Sequence, residues 1–319
     1  QTSRGFLTEE AILSRKLRAA FRGAGLTEAI HYSLTSTDPK KPQVVLANPL
    51  FKEYSALRID LIDGLIEAFK LNIDNGNGPL NAFEVGNVFN KQEDQPEGEP
   101  IETTKVAGIV GGDARRGKWV TSNKETPMSW YEAKGVLACI FNTLGLSVDY
   151  RTANSSDDVR FHPGRTADLF VRGRTLLGRF GQLHPELRRD KDLPDDVYVF
   201  ELNWAVLVMC LTGKSGKAVK FSAYSTYPAS DRDLAFFAPV DVSVDALSRA
   251  MSKSGGKLLD SVTLFDEYRG KGVPDGERSL AFRLVYRADN RTLTDQDIDP
   301  VHNKIRAALE KAYKVSLRS

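Results

Sequence analysis

The sequence predicts an α+β protein in two parts: an α/β domain with a mainly antiparallel sheet over residues 1–219 and a β-α-β-β-α-β unit over residues 220–319. Three observations predict it. From Tyr227 onward, apolar runs and helical stripes alternate in an order that admits few folds. Before Thr212, strands and helices alternate without regular βαβ periods, as suits a mainly antiparallel sheet. Between the two, Thr212-Gly-Lys-Ser-Gly-Lys-Ala218 is small and basic, a composition suited to a linker.

In chain order, Thr8 is an N-cap for a helix with an acidic first turn, Glu9 and Glu10. Ile12, Leu13, Leu17, Ala20 and Phe21 supply its apolar stripe, and Gly23 and Gly25 end it. Thr27 to Leu34 predicts a strand, followed by a turn-rich interval up to Val44-Val45-Leu46. Asn48-Pro49 restarts the chain, and Ala56 to Asp60 leads into a helix from about Leu61 to Ile73 that Asn75 to Pro79 breaks. Leu80 to Phe89 and Lys105 to Val110 predict strands on either side of a polar loop, Lys91 to Glu102. Ser129 to Leu144 predicts a helix. Three short strands, about Ala167 to Val171, Thr175 to Gly181 and Val197 to Glu201, close the domain before a helix near Asn203 to Leu211.

In the tail, Arg232 to Phe237 is a short apolar strand, and Ser243 to Ser254 carries Val244, Leu247, Ala250 and Met251 at helical spacing. Strands at Lys257 to Tyr268 and Arg278 to Arg287 flank Gly270 to Gly276, a loop rich in turn formers. A helix from Thr294, with Ile298, Val301, Ile305, Ala308 and Leu309 on one face, precedes a last strand, Lys314 to Leu317. This is the split βαβ, ferredoxin-like arrangement, a four-stranded antiparallel sheet with two helices on one face. Its other face is left open, and alternate side chains point there. With Phe265 toward the helices, Asp266 and Tyr268 face outward together at the strand end. Such a ring offers a stacking platform for a base, and the carboxylate accepts protons from a guanine Watson–Crick edge. A solvated strand end with the ring lying on a neighbour is the plain alternative.

Lys plus Arg number 44 against 42 acidic residues, a net charge of +2. A protein that held RNA by electrostatics alone would be more basic, so an RNA contact here is small and local, or another subunit supplies the positive surface. Cys139 and Cys210 sit among aliphatic residues without metal-ligand spacing, which predicts buried free thiols in a reducing cytoplasm. No apolar run approaches the roughly 20 residues of a membrane span, and Gln1 to Glu10 lacks the apolar core of a signal peptide. Without an initiator methionine, the chain is expected to be a piece of something longer.

Four tail motifs, Tyr227-Pro-Ala-Ser-Asp-Arg-Asp-Leu-Ala235, Leu264-Phe-Asp-Glu-Tyr-Arg-Gly270, Ser279-Leu-Ala-Phe282 and Arg291-Thr-Leu-Thr-Asp295, closely resemble the ferredoxin-fold anticodon-binding domain. That domain ends the β subunit of bacterial-type phenylalanine–tRNA ligases. The phrases Asn48-Pro-Leu50, Phe83-Glu-Val-Gly-Asn-Val-Phe89, Trp130-Tyr-Glu-Ala-Lys-Gly135, His162-Pro-Gly-Arg165 and Gly181-Gln-Leu-His-Pro-Glu186 resemble the catalytic-like domain of the same subunit, which has the class II synthetase fold. The resemblance covers almost the whole chain. It implies a non-catalytic scaffold beside a catalytic α subunit in an α2β2 heterotetramer, with tRNA-Phe as the RNA partner. ATP and Mg belong to the whole enzyme, and no cofactor is implied for this chain. The family's anticodon contacts map to Asp266, Tyr268 and Ser279. Arg269, Lys271 and Arg278, around the same loop, are candidates for backbone phosphates. The family's editing domain, amino-terminal RNA-binding fold and Mg-bearing small domain precede this stretch.

A working class II site resembles Phe-Arg-x-Glu after a strand and a Gly-rich segment with a second Arg, because charge developing on ATP phosphates calls for bidentate cations. Here the first signature reads Phe89-Asn90-Lys91-Gln92, and Tyr198 to Trp204 lacks the second. The domain is therefore expected not to activate an amino acid. The alternative is a freestanding class II-fold enzyme acting on a small amino-acid-like substrate. Gly213-Lys214-Ser215 mimics the end of a phosphate-binding loop, but Val208 stands where that motif needs Gly. His162 and His184 precede Pro in turns and predict structural hydrogen bonds; His31 and His302 suggest no role. Asp231 and Asp233, flanking Arg232, predict an ion pair. The expected partner contacts are the Leu61 to Ile73 helix and the Trp130 segment, with internal core as the equal alternative for their apolar faces.

Overall fold

Helices cap and strands pair in the larger of two units, Gln1–Ala218 and Val219–Ser319, much as local chemistry dictates. The computed structural model describes residues 5–92, 98–113, 119, 124, 126–153, 158–212, 221 and 223–317. The expected linker, apart from Thr212, lies outside them, as do Gly213-Lys214-Ser215 and part of the Lys91 to Glu102 loop.

Thr8 accepts a hydrogen bond from the Ala11 N–H and starts α1 (Glu9–Gly23), which buries Leu13, Leu17, Ala20 and Phe21. The strand expected from Thr27 to Leu34 is instead two short pieces, β1 (Thr27–Glu28) and β2 (Leu34–Thr35); β2 pairs with β3 (Ala56–Leu57). Helix α2 (Ile62–Asp74) buries Ile62, Leu65, Ile66 and Phe69. Strands β4 (Ala82–Asn90) and β5 (Ile101–Gly111) form a long hairpin, so β5 starts within the interval expected to be loop. Ser129 and Glu132 close a capping box on α3 (Trp130–Thr143). Strand β6 (Val148–Thr152) and the short helix α4 (Pro185–Asp190) are absent from the sequence reading, and β7 (Phe161–Val171) starts earlier than the expected Ala167. Strands β8 (Thr175–Leu183) and β9 (Val197–Asn203) and helix α5 (Trp204–Leu211) complete the unit.

The seven strands run in the order β1-β4-β5-β9-β8-β7-β6; β1 pairs with β4 in parallel and every other pair is antiparallel. One sheet face carries Phe83, Val106, Phe180, Phe200 and Leu202 against α1, α3 and α5. The other packs Ala82, Val88, Ala107, Ile109, Val197 and Val199 against α2. The apolar stripe of α2 is thus internal core, and the half-buried Trp130 ring packs against the core of the opposite sheet face, 4.8 Å from Phe180. Emptying one of these sites, as in Phe69→Ala, costs about 3–5 kcal/mol.

The second unit has strands β10 (Ser230–Pro239), β11 (Leu259–Tyr268), β12 (Glu277–Tyr286) and β13 (Ser316–Leu317), with helices α6 (Val244–Gly255) and α7 (Asp295–Tyr313). Their order, β11-β12-β10-β13, all antiparallel, is the predicted ferredoxin-like sheet. Ser243 caps α6, and Thr294 with Asp297 closes a capping box on α7. Phe236, Leu280, Phe282, Leu284 and Tyr286 pack under Leu247, Met251, Ile298, Ile305 and Leu309, leaving the opposite sheet face without helices.

Candidate nucleic-acid interface

Cross-strand partners point to the same side of a sheet, so register shows which residues reach the open face. In β12, Leu280, Phe282, Leu284 and Tyr286 point to the helices, so Ser279, Ala281, Arg283 and Val285 point away. In β11, Val262 and Leu264 pair with Leu284 and Phe282 and pack toward the core. With unbroken alternation Asp266 and Tyr268 would follow them inward. A β-bulge prevents this: Leu264 pairs with Phe282 but Asp266 with Ala281, leaving Phe265 as the extra residue. Beyond the bulge the parity reverses, and Asp266 and Tyr268, opposite Ala281 and Ser279, reach the open face.

Asp266 and Tyr268 therefore face outward as expected, but for a different reason. Phe265 does not point to the helices; it is 52% exposed, with the Arg283 guanidinium 5.3 Å from its ring centroid. Tyr268 is 47% exposed and lies close over Gly270, where a Cβ would come within 2.6 Å of the Tyr268 hydroxyl. Ala235 and Ala281 give the middle of the face a low floor beside Phe237.

The other candidates separate. Ser279 is directly opposite Tyr268 but only 3% exposed. Arg278 is buried on the helix side: Nη1 lies 3.2 Å from Glu267 Oε1 and Nη2 donates to the Val242 carbonyl at 2.6 Å. It braces the hairpin against the α6 approach and is not available to a phosphate. Arg269 and Lys271 are exposed, Arg269 reaching Glu267 through Nε at 3.0 Å. Burial alone would raise the Glu267 carboxyl, but hydrogen bonds from Arg269 and Arg278 outweigh it and hold it below the usual range.

Asp231 and Asp233 pair with Arg283 rather than with their neighbour Arg232. The Arg283 fork meets both Asp233 oxygens at 2.9 Å, and Asp231 lies 3.6 Å away. Arg232, inward by register, pairs with Asp295. His162 and His184 accept from the N–H groups of Gly164 and Glu186, as their turns predict. Cys210 is buried, but Cys139 is exposed on α3, contrary to expectation.

In the larger unit, one register row on the α2 side reads Glu84, Ala107, Glu201, Arg179, Asp168 across β4, β5, β9, β8 and β7. Its charges are matched: Lys105–Glu201 at 2.6 Å and Arg179–Asp168 at 2.7 Å, with Arg160–Asp60 at 3.3 Å nearby. Glu84, buried, takes Arg58 Nη1 at 2.6 Å and His31 Nδ1 at 2.5 Å. Burial by itself would raise its carboxyl; the bonds from His31 and Arg58 prevail and lower it. His31 thus has a structural role that isolated reading of a strand histidine missed. A cavity of about 530 Å³, lined by His31, Arg58, Asp60 and Asp63, opens beside this group. Asn90 ends β4, and Gln92 donates to the Glu99 carbonyl at 2.8 Å. Among the described residues no cluster of three or more His, Cys, Asp or Glu has a metal-binding arrangement.

Family comparison assigns both units. The phenylalanyl tRNA synthetase beta chain CLM domain matches residues 1–204, and the ferredoxin-fold anticodon binding domain matches residues 225–318. The phenylalanine–tRNA ligase beta subunit of Trichormus variabilis is 55% identical over 315 residues, 99% of this chain and 38% of that protein. That of Synechocystis sp. is 54% identical over 304 residues, 95% of this chain and 36% of its own. The chain spans less than two fifths of the length of these curated relatives. Among solved structures, a pyrrolysyl-tRNA synthetase from Desulfitobacterium hafniense superposes with a TM-score of 0.46 at 16% identity, over 63% of this chain and 68% of that one. With the two models following one another in the order the motifs predict, the chain belongs to the phenylalanine–tRNA ligase beta-subunit family.

Proposed function

We propose that the chain is the non-catalytic C-terminal part of a β subunit, which supports a catalytic α subunit and holds the anticodon region of tRNA-Phe during ATP-dependent aminoacylation. The observation that carries this is the β11 bulge, which turns Asp266 and Tyr268 onto the helix-free face of an anticodon-binding fold. Tyr268 stacks a base and Asp266 accepts from its polar edge, while Arg269 and Lys271 stand where the backbone would pass. Ser279, cross-strand from Tyr268 and only 3% exposed, is the least accessible of the three mapped positions. A net charge of only +2 fits a contact of this small size.

In the larger unit Glu84, Glu201 and Asp168 already engage Arg58, Lys105 and Arg179, which supports a scaffold role and an α partner that supplies ATP, Mg and phenylalanine. The assembly is an α2β2 heterotetramer in the cytoplasm. No helix among the described residues is long and apolar enough to cross a membrane. Because the apolar stripe of α2 is internal, a docking surface is also sought at Ile30, Tyr32, Leu50 and Phe51, all exposed, with Tyr32 and Tyr54 rings 5.6 Å apart joining them. Co-purification with the α subunit, followed by tRNA-Phe binding with and without Tyr268→Ala, tests both halves. Retained α binding with weakened tRNA binding is expected; loss of neither would overturn the assignment.

A further inference from the structure

We infer that Phe265 is a second base-stacking position, separate from Tyr268, and that its Arg283 partner presents it. This deepens the proposed function and rests on its RNA-binding reading. The bulge puts two consecutive side chains, Phe265 and Asp266, on one face, so three of the last four residues of β11 project outward. A phenylalanine in that position loses the helix-facing burial that its hydrophobicity would otherwise supply. What it has in return is a cation against one ring face: Arg283 sits 5.3 Å from the centroid, and the bidentate bond to Asp233 fixes the guanidinium. The ring is thereby oriented while about half of the residue remains open to solvent.

Charge identifies the occupant. Asp231, Asp233 and Asp266 all reach this face, and Arg283 is the cation that the first two already neutralise. A phosphate over Phe265 would meet net negative charge, whereas a neutral base with amino or imino donors would not. The ligand is therefore the base of a single-stranded nucleotide, with its backbone toward the cationic loop. Three residues of strand separate Phe265 from Tyr268 by about 10 Å, roughly three stacked-base steps of 3.4 Å. One base cannot cover both rings at that separation, so each ring takes its own base.

The test is equilibrium binding of a tRNA-Phe transcript to the 319-residue chain at low salt, comparing Phe265→Leu, Phe265→Trp and Tyr268→Ala. Phe265→Leu keeps the apolar bulk, and circular dichroism melting checks that it folds. A roughly 5- to 100-fold loss for Phe265→Leu, the range for one stacked base, with Phe265→Trp at wild-type affinity, is the expected result. Loss in Tyr268→Ala with Phe265→Leu within twofold of wild type overturns the second platform while leaving the RNA reading standing. Equal affinity in all variants, or no binding by the unaltered chain, overturns both.

Discussion

Two sheet faces of this molecule treat polarity in opposite ways. On the α2 side of the larger unit, the carboxylates of Glu84, Glu201 and Asp168 meet Arg58, Lys105 and Arg179 at hydrogen-bonding distance, so these charges are satisfied within the unit. On the helix-free side of the smaller unit, rings and carboxylates at the end of β11 project into solvent, with their unmet capacity turned outward. Charges satisfied within a unit stabilise it; an open face can recognise something else. The same β-sheet chemistry serves as a scaffold in one place and as a reader in the other.

The sharpest way to break the satisfied charges is Glu84→Ala. Removing one partner of a buried ion pair leaves Arg58 uncompensated, and a loss of about 3–5 kcal/mol is expected in chemical denaturation of the larger unit. The anticodon-binding unit should keep its own transition unchanged. Next, Tyr268→Ala should weaken tRNA binding by about 1–3 kcal/mol while leaving unfolding of the larger unit untouched. Arg278→Ala separates bracing from binding. It should destabilise the smaller unit by about 1–3 kcal/mol, because Glu267 and the Val242 carbonyl lose a buried donor. It should leave the salt dependence of RNA binding unchanged, whereas Lys271→Ala should reduce the slope of log K against log salt by about 0.7.

The smallest effect expected is in pH dependence. The folded Glu84 carboxyl lies below its unfolded value, so its contribution is fully present above that unfolded value and is lost as pH falls through the depressed one. Glu84→Gln should flatten acid unfolding of the larger unit in that range. An unchanged acid limb would show that other groups govern it.

Much of this was legible in the residues. Apolar stripes placed α1, α2 and α3 to within a residue or two and the start of α7, and turn formers around Gly270 marked the tail hairpin. Strand ends were less legible, because β5 extends through the polar stretch Ile101 to Thr104, whose pairing comes from β4 rather than local preference, and β7 reaches back to Phe161 across a register irregularity before Thr166. The site was half legible. Residue types at 266 and 268 suggested a base, but simple alternation put Phe265 on the wrong face, because a bulge depends on how two strands meet. Arg278 looked like a loop cation until its burial against Val242 was visible. Nothing local to His31 pointed to Glu84, 53 residues away.

The most direct test of the central claim, that the outward ring of Tyr268 holds an anticodon base, is a double-mutant cycle between Tyr268→Ala and abasic substitution at each anticodon position of tRNA-Phe. Non-additive losses at one position, with the abasic site costing little once the ring is gone, are the predicted result. Additive losses at all three positions would contradict it.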